Sequence, residues 1–320
     1  MAAYLPGSIP VPLIGANKNN LKGAQSMQKI KLTVLKNMIA AKLSKYEVLF
    51  LVTIARYQDD KGQVLGVYYK DICKELGRLS GKEKISYQKF YDCIKSLEHK
   101  GLISVEKGFK DRNIRIVAND FSDGSYYEGY ISVGHTIFYL QEFGQLKANE
   151  MLMCMDFMKN CEAGKRGSIC IGVEKFYNKY AKMLSVSKRV IQGYLTHLRK
   201  FFSIGIKDGL YWVEIRRHTL SKLPKNSEGY AYRKHVGESI FRCYRIKYTE
   251  QTFTDTVNLM YQYGAKAKGN ITSIFTLAVA KSLALINKGV LNKYKWDREL
   301  RPKLVHKLIR EALASQEVLG

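Results

Sequence analysis

Between Ser44 and Val117 the apolar residues change period several times, and each change marks an element. In "KYEVLFLVTIARYQ" the residues Val48, Leu49, Leu51, Val52 and Ala55 share one helical face. Ser44 precedes them and Glu47 stands three residues on, the pairing of a capping box. "DDKGQ" breaks the pattern, and "VLGVYYKDICKELG" then predicts a short strand and a second helix ended by Gly77. After the polar loop "RLSGKEK", Ser86 caps a third helix with Phe90, Ile94 and Leu97 on one face. Gly101 stops it, because a helix end commonly needs a left-handed residue. Leu102 and Ile103 return the chain to the core. "LISVEKG" and "RNIRIVA" alternate as strands around a charged turn between Lys107 and Arg112.

The same succession recurs about a hundred residues on. "KANEMLMCMDFMKN" is an apolar helix, "GKRGSICIG" a loop and short strand, and "VEKFYNKYAKMLS" a second helix. In "VSKRVIQGYLTHLRKFF", Ser187 is the cap and Ile191, Leu195 and Leu198 point inward. "SIGIKDGLYWVEI" reads as two strands joined by Asp208-Gly209, a strong two-residue hairpin signal. The copies align at Phe90 with Ile191, Ile94 with Leu195 and Leu97 with Leu198, with little identity besides.

The remaining segments follow from these two. Residues 1–43 read as a basic flexible arm, with a short helix over Ile30–Ala41; the arm either lies along a polyanion or is a solvated tail. The modules are 44–120 and 146–218. Between them, 121–145 is aromatic and acidic, a connector that either holds the modules in a fixed relation or makes a dimer contact. Residues 219–229 read as a linker, and 230–320 as a helical C-terminal domain. Its candidate helices are "AYRKHVGESIFRCYRIK", "TFTDTVNLMYQYGAKA", "ITSIFTLAVAKSLALIN" and "KLVHKLIREALAS", with Thr249 or Thr252 capping the second and Gly289 ending the third. The fold class expected is mainly α with small β-hairpins (α+β).

Helix, strand, helix, helix, hairpin is the order of the winged helix, and "FYDCIKSLEHKGLISVEKG" resembles the recognition helix and wing entry of winged-helix regulators. The resemblance covers under half of the chain, roughly 44–118 and 145–217. It implies that the third helix of each module enters a major groove, where early outward positions reach base edges. In the first module these are Tyr87, Gln88, Lys89, Tyr91 and Lys95, beside Asp92. In the second they are Lys188, Arg189, Gln192 and Thr196, with Gly193 allowing close approach and Arg199 near the end. Arg189 suits guanine, and Gln88 or Gln192 adenine. The wings supply Lys107, Lys110, Arg112 and Arg115 in the first copy and Lys207 in the second, for phosphates or a minor groove, and Lys165 and Arg166 add phosphate contacts.

Charge sharpens this reading. The net formal charge is +25, which points to a polyanionic partner. It divides as +6 in the arm, +4 in the first module, −3 in the connector, +8 in the second module and +10 beyond. The first recognition helix is nearly neutral through Asp92 and Glu98, whereas "SKRVIQGYLTHLRK" carries five basic residues, His197 included, and no acid. The second helix is therefore the stronger candidate reader.

Other classes find little support. There is no G-x-x-x-x-G-K-[ST], no H-x-H pair, no carboxylate cluster for two-metal chemistry, and the six histidines are isolated. The expectation is a non-enzyme with no cofactor and no metal. The six cysteines form no C-x-x-C pair and read as reduced, buried thiols. No apolar run approaches the ~18–20 residues of a membrane span, and the proline-broken start has no basic region of a secretory signal. A cytoplasmic, nucleoid-associated protein is expected.

Two winged helices with a basic arm and a helical tail resemble, in layout only, the replication initiators of theta-replicating plasmids and related mobile elements. That resemblance implies sequence-specific double-stranded DNA binding at repeated origin elements. The recognition helices would enter successive major grooves roughly 34 Å apart. Self-assembly on DNA or recruitment of replication or transcription proteins would fall to the tail. A transcriptional regulator of a phage or mobile element, and a DNA-organising or partition-type protein, are the alternatives.

Overall fold

In the computed structural model the chain is mainly helical with small antiparallel sheets. It describes residues 27–107, 112–124, 126, 128–163, 168–216, 225–264, 266–267, 271–287 and 300–317. Strand β1 (Lys29–Lys31) and helix α1 (Leu32–Ala40) come first. The composition of 1–43 predicts a flexible arm, but from Met27 onward the chain is folded. Val34, Leu35 and Met38 form a buried stripe, while Lys36 and Lys42 stay exposed on the other side. Burying an apolar side chain is worth about 1.5–3 kcal/mol, so three outweigh a basic composition, and Lys31 is itself buried with its ammonium 5.2 Å from the Phe121 ring centroid.

Two modules then repeat one topology. The first comprises α2 (Lys45–Ile54), β2 (Gln63–Val67), α3 (Tyr69–Leu79), α4 (Tyr87–His99), β3 (Ile103–Lys107) and β4 (Arg112–Ile116), with antiparallel sheet order β2-β4-β3. A connector supplies β5 (Tyr130–Ser132) and α5 (Gln141–Gln145). The second module comprises α6 (Ala148–Ala163), β6 (Ser168–Gly172), α7 (Val173–Leu184), α8 (Lys188–Leu198), β7 (Phe202–Lys207) and β8 (Leu210–Ile215), with order β6-β8-β7. Asp208 and Gly209 both have positive φ, 51° and 70°, as a two-residue hairpin of this twist requires. Gly101, at φ 68°, ends α4 as expected.

Gly77 serves a different purpose from the expected one. α3 continues through it to Leu79. A Cβ at Gly77 would lie 2.3 Å from Lys84 Cα, so the loop after α3 crosses here at a distance only glycine permits.

The connector's apolar residues are interior, while Tyr126, Glu128 and Glu142 stay exposed. Ile131, Val133, Ile137, Phe138 and Phe143 are fully buried, and β5 pairs with β1 in register Ile30↔Ile131. One apolar core runs from Ile30 to Val213, through both modules. Arg56, 1% exposed at the end of α2, sits at the junction. It donates to Glu75 Oε1 at 2.9 Å and to the Phe138 carbonyl, with its guanidinium 3.9 Å from the Tyr139 ring centroid. Nearby, the Asn119 amide donates to Lys29 O (3.0 Å) and Gln58 Oε1 (2.7 Å), and its oxygen accepts from Lys31 N (2.8 Å).

Helix α9 (Lys225–Cys243) follows the second module but packs on the first. It begins inside the stretch read as a linker. It also belongs to the same compact unit as both modules, Gln25–Arg245, although the sequence reading groups it with the C-terminal domain. Val236, Ile240 and Phe241 are buried. His235 stacks on Tyr57 (4.7 Å) and bonds Leu65 O at 2.6 Å, and Arg242 donates to Gly66 O at 3.3 Å. Burial pushes His235 down to about 4, so the ring is neutral and its Nε2 carries the shared proton.

A second unit begins at Ile246. It contains α10 (Glu250–Gly264), α11 (Ile271–Asn287) and α12 (Pro302–Glu317), packed through Phe253, Met260, Phe275, Val279, Val305 and Ile309. Thr249 caps α10, accepting from Thr252 N at 3.1 Å. The expected terminator Gly289 lies outside the described residues. Among the described residues no helix is long and apolar enough to cross a membrane. Cys73, Cys93, Cys154 and Cys161 are buried thiols, but Cys170 and Cys243 are exposed, the former on the outer face of a sheet and the latter at a helix end.

Replacing Arg56 with Met leaves the Phe138 carbonyl and part of Glu75 without their buried donor. Such a loss costs about 3 kcal/mol; urea titration of Arg56→Met should show it.

Candidate nucleic-acid interface

The apolar stripes of α4 and α8 decide what remains outside. Phe90, Ile94 and Leu97 are buried in α4, and Ile191, Leu195 and Leu198 in α8. The offset between them is constant, so outward positions correspond as well. Tyr87 matches Lys188, Gln88 matches Arg189, Lys89 matches Val190, Tyr91 matches Gln192, Asp92 matches Gly193 and Lys95 matches Thr196.

The α8 surface is open and cationic. Lys188, Arg189, Gln192, Gly193, Thr196 and Arg199 are all exposed. Lys188 lies 4.8 Å over the Tyr177 ring, and the Thr196 hydroxyl donates back to Gln192 O at 3.2 Å. The Arg189 guanidinium and the Gln192 amide have no intramolecular partner among the described residues. A Cβ at Gly193 would meet nothing within 4 Å.

The α4 surface is aromatic, and its Gln88 and Lys89 are engaged. Tyr87 and Tyr91 are exposed at 44% and 39%. Tyr69 packs edge-on to Tyr87 (4.8 Å) and is tilted against Tyr91 (6.5 Å). The Gln88 amide donates to Asp92 Oδ1 at 2.8 Å, and Lys89 is half-buried over Tyr46. Lys95 is exposed.

Around the ribbons, Arg112 is half-buried with its guanidinium 5.3 Å from the Tyr91 centroid, and Arg115 is exposed and pairs with Asp120 at 3.4 Å. Lys207 is exposed at the end of β7. Lys110, Lys165 and Arg166, and the side chain of Lys107, lie outside the described residues.

A buried carboxylate sets the third helix of each module against the first. Glu47, 4% exposed, accepts from Ser44 N (2.6 Å), Ser96 Oγ (2.6 Å) and Lys100 Nζ (2.7 Å). Burial would raise its pKa, but these donors outweigh it and hold the carboxyl at about 2. Glu150, 2% exposed, occupies the equivalent place in α6. It accepts from Lys147 N at 2.8 Å and meets His197 Nδ1 at 2.7 Å. Both acids therefore fix the C-terminal turn of the helix whose outer face is the candidate reader.

Sequence reasoning identifies Glu47 only as a cap and passes over Glu150, Val190 (40% exposed) and Ile206 (59% exposed). Val190 was findable, because it falls out of phase with the Ile191–Leu195–Leu198 stripe. No local pattern announces the Glu47–Ser96 or Glu150–His197 contacts. Neither a family model, nor a curated protein, nor a solved structure matches this chain.

Two outcomes are expected. The Glu47 carboxyl lies below its ordinary 4.5, so its contribution is complete above pH 4.5 and is lost as pH falls toward 2. In urea titrations across that range, Glu47→Gln should flatten the acid decline and lower stability at neutral pH. Gly193→Ala, whose Cβ would meet nothing within 4 Å, should raise helix stability by up to about 1 kcal/mol, which thermal melting reads.

Proposed function

We propose that the chain is a sequence-specific double-stranded DNA-binding protein whose two modules are winged helices, acting as the replication initiator of a plasmid or mobile element. The observation that carries the DNA reading is the outer face of α8. It presents an Arg189 guanidinium and a Gln192 amide without partners among the described residues, flanking cations and an open Gly193 backbone on a helix that Glu150 holds firmly. Arginine and glutamine read guanine and adenine edges bidentately. The repeated element order and the matching sheet orders support the winged-helix assignment.

The shared core supports a single bivalent reader, since both modules belong to one compact unit. The basic charge supplies affinity through phosphate contacts and α8 supplies selectivity. The unit beginning at Ile246 is assigned to assembly or recruitment of replication proteins.

Selection of bound sequences from a random duplex pool, followed by footprinting, tests the proposal. Regularly spaced repeats support an initiator. A single promoter palindrome replaces it with a transcriptional regulator, and continuous length-dependent coverage with a DNA organiser. Binding should weaken steeply with salt, and a flat salt response would sink the DNA reading. On the selected site Arg189→Ala should cost about 1–3 kcal/mol, and Lys89→Ala less, because the Lys89 ammonium is already half-buried over Tyr46. Equal losses on specific and random duplex would show that Arg189 touches only phosphate.

A further inference from the structure

Val190 stands apart on the outer face of α8. It is 40% exposed and lies outside the Ile191–Leu195–Leu198 stripe, so the core does not account for it. Helix stability does not account for it either, because valine is a weaker helix former than the lysine at the equivalent place in α4, Lys89.

Its setting is specific. Residues three apart on a helix are neighbours, with Cβ atoms about 5–6 Å apart. Val190, Gly193 and Thr196 therefore follow one another across the outer face of α8. Gly193 has no side chain, and a Cβ there would meet nothing within 4 Å. The walls on either side, Val190 and Thr196, then stand about 10 Å apart at Cβ, which leaves room for one methyl group at the ~4 Å contact distance of carbon. The Thr196 hydroxyl donates to Gln192 O at 3.2 Å, so its proton is spent within the helix. Arg189, four residues before Gly193, borders the same gap, and its guanidinium has no partner among the described residues.

The gap offers an incoming base edge an apolar wall rather than a hydrogen bond. In the major groove the fitting group is the C5-methyl of a pyrimidine, which stands beside edges that otherwise carry donors and acceptors. Resting on the DNA reading above, we infer that Val190 is a specificity-determining residue, and that the gap it walls takes the 5-methyl group of a pyrimidine next to the base pair that Arg189 reads. Consecutive helical residues diverge by about 100°, so Arg189 and Val190 serve neighbouring pairs. The recognised chemistry is the methyl group itself, carried by thymine or by 5-methylcytosine. Methylation of a cytosine at this step therefore raises affinity. At the equivalent places α4 has Lys89, Asp92 and Lys95, so this discrimination belongs to the second module.

Anisotropy titrations of the full chain on the selected duplex would exchange each thymine in turn for uracil, which deletes only the methyl. At one step in the half facing α8 the exchange should weaken binding about fourfold. Cytosine and 5-methylcytosine, each paired with guanine at that step, should differ by the same ratio. Val190→Ala should erase the ratio and leave the uracil duplex bound as before. Gly193→Ala fills the gap from the protein side. It should weaken the thymine duplex about tenfold and spare the uracil duplex, a reversal that a general loss of binding would not give. Both positions are exposed, and both variants should melt no more than slightly below the wild-type chain.

Equal affinity for thymine and uracil at every step would overturn the inference while the DNA reading stands. A difference that both variants leave intact would place the methyl contact elsewhere and overturn it too, as would 5-methylcytosine binding no better than cytosine. Failure of the wild-type chain to bind any duplex would remove the DNA reading and this inference with it.

Discussion

A guanidinium shut away from water must find its partners within the protein, and Arg56 finds them on two elements at once, α3 and the connector. Its charge is met by Glu75 of α3, its second nitrogen by the Phe138 carbonyl and its flat face by Tyr139. Burying a charge without such partners costs several kcal/mol, so α2, α3 and the connector are held to one arrangement. Because the connector leads directly into α6, that arrangement also governs where the second module begins. The single core from Ile30 to Val213 is the packing counterpart of this constraint.

Within each module the buried carboxylates play a similar part at shorter range. Glu47 and Glu150 share a position, and each ties a first helix to the last turn of a third helix. What they hold differs. α4 is faced with tyrosines, whereas α8 is faced with exposed cations. A common scaffold thus carries two surfaces of different chemistry.

Much of this was legible in the chain because it is local. The stripes Phe90–Ile94–Leu97 and Ile191–Leu195–Leu198 announce helices through their period, and Asp208-Gly209 announces its hairpin through the backbone angles it tolerates. What was not legible depends on distant partners. Arg56 meets Phe138 across 82 residues, and Glu47 meets Ser96 across 49; an exposed and a buried charge look alike in a sequence. Gly77 misleads because glycine near a helix end signals a cap, while the crossing at Lys84 exists only in three dimensions. The apolar stripe of α9 says that something covers it, but not that the cover is the first module. Of the candidate site, the outward positions of α8 follow from phase alone, but the engagement of Gln88, Lys89 and Arg112 by neighbours does not.

The docking of α9 has a consequence for how the chain behaves among its own copies. β2 is the outermost strand of its sheet, and such a strand offers unpaired carbonyls to any passing chain. His235 and Arg242 take the Leu65 and Gly66 carbonyls, and α9 packs against the strand. Helix α9 is therefore a guard against edge-to-edge aggregation. A chain cut short before it would lose more than a helix, since its first sheet would become a template for pairing with another molecule.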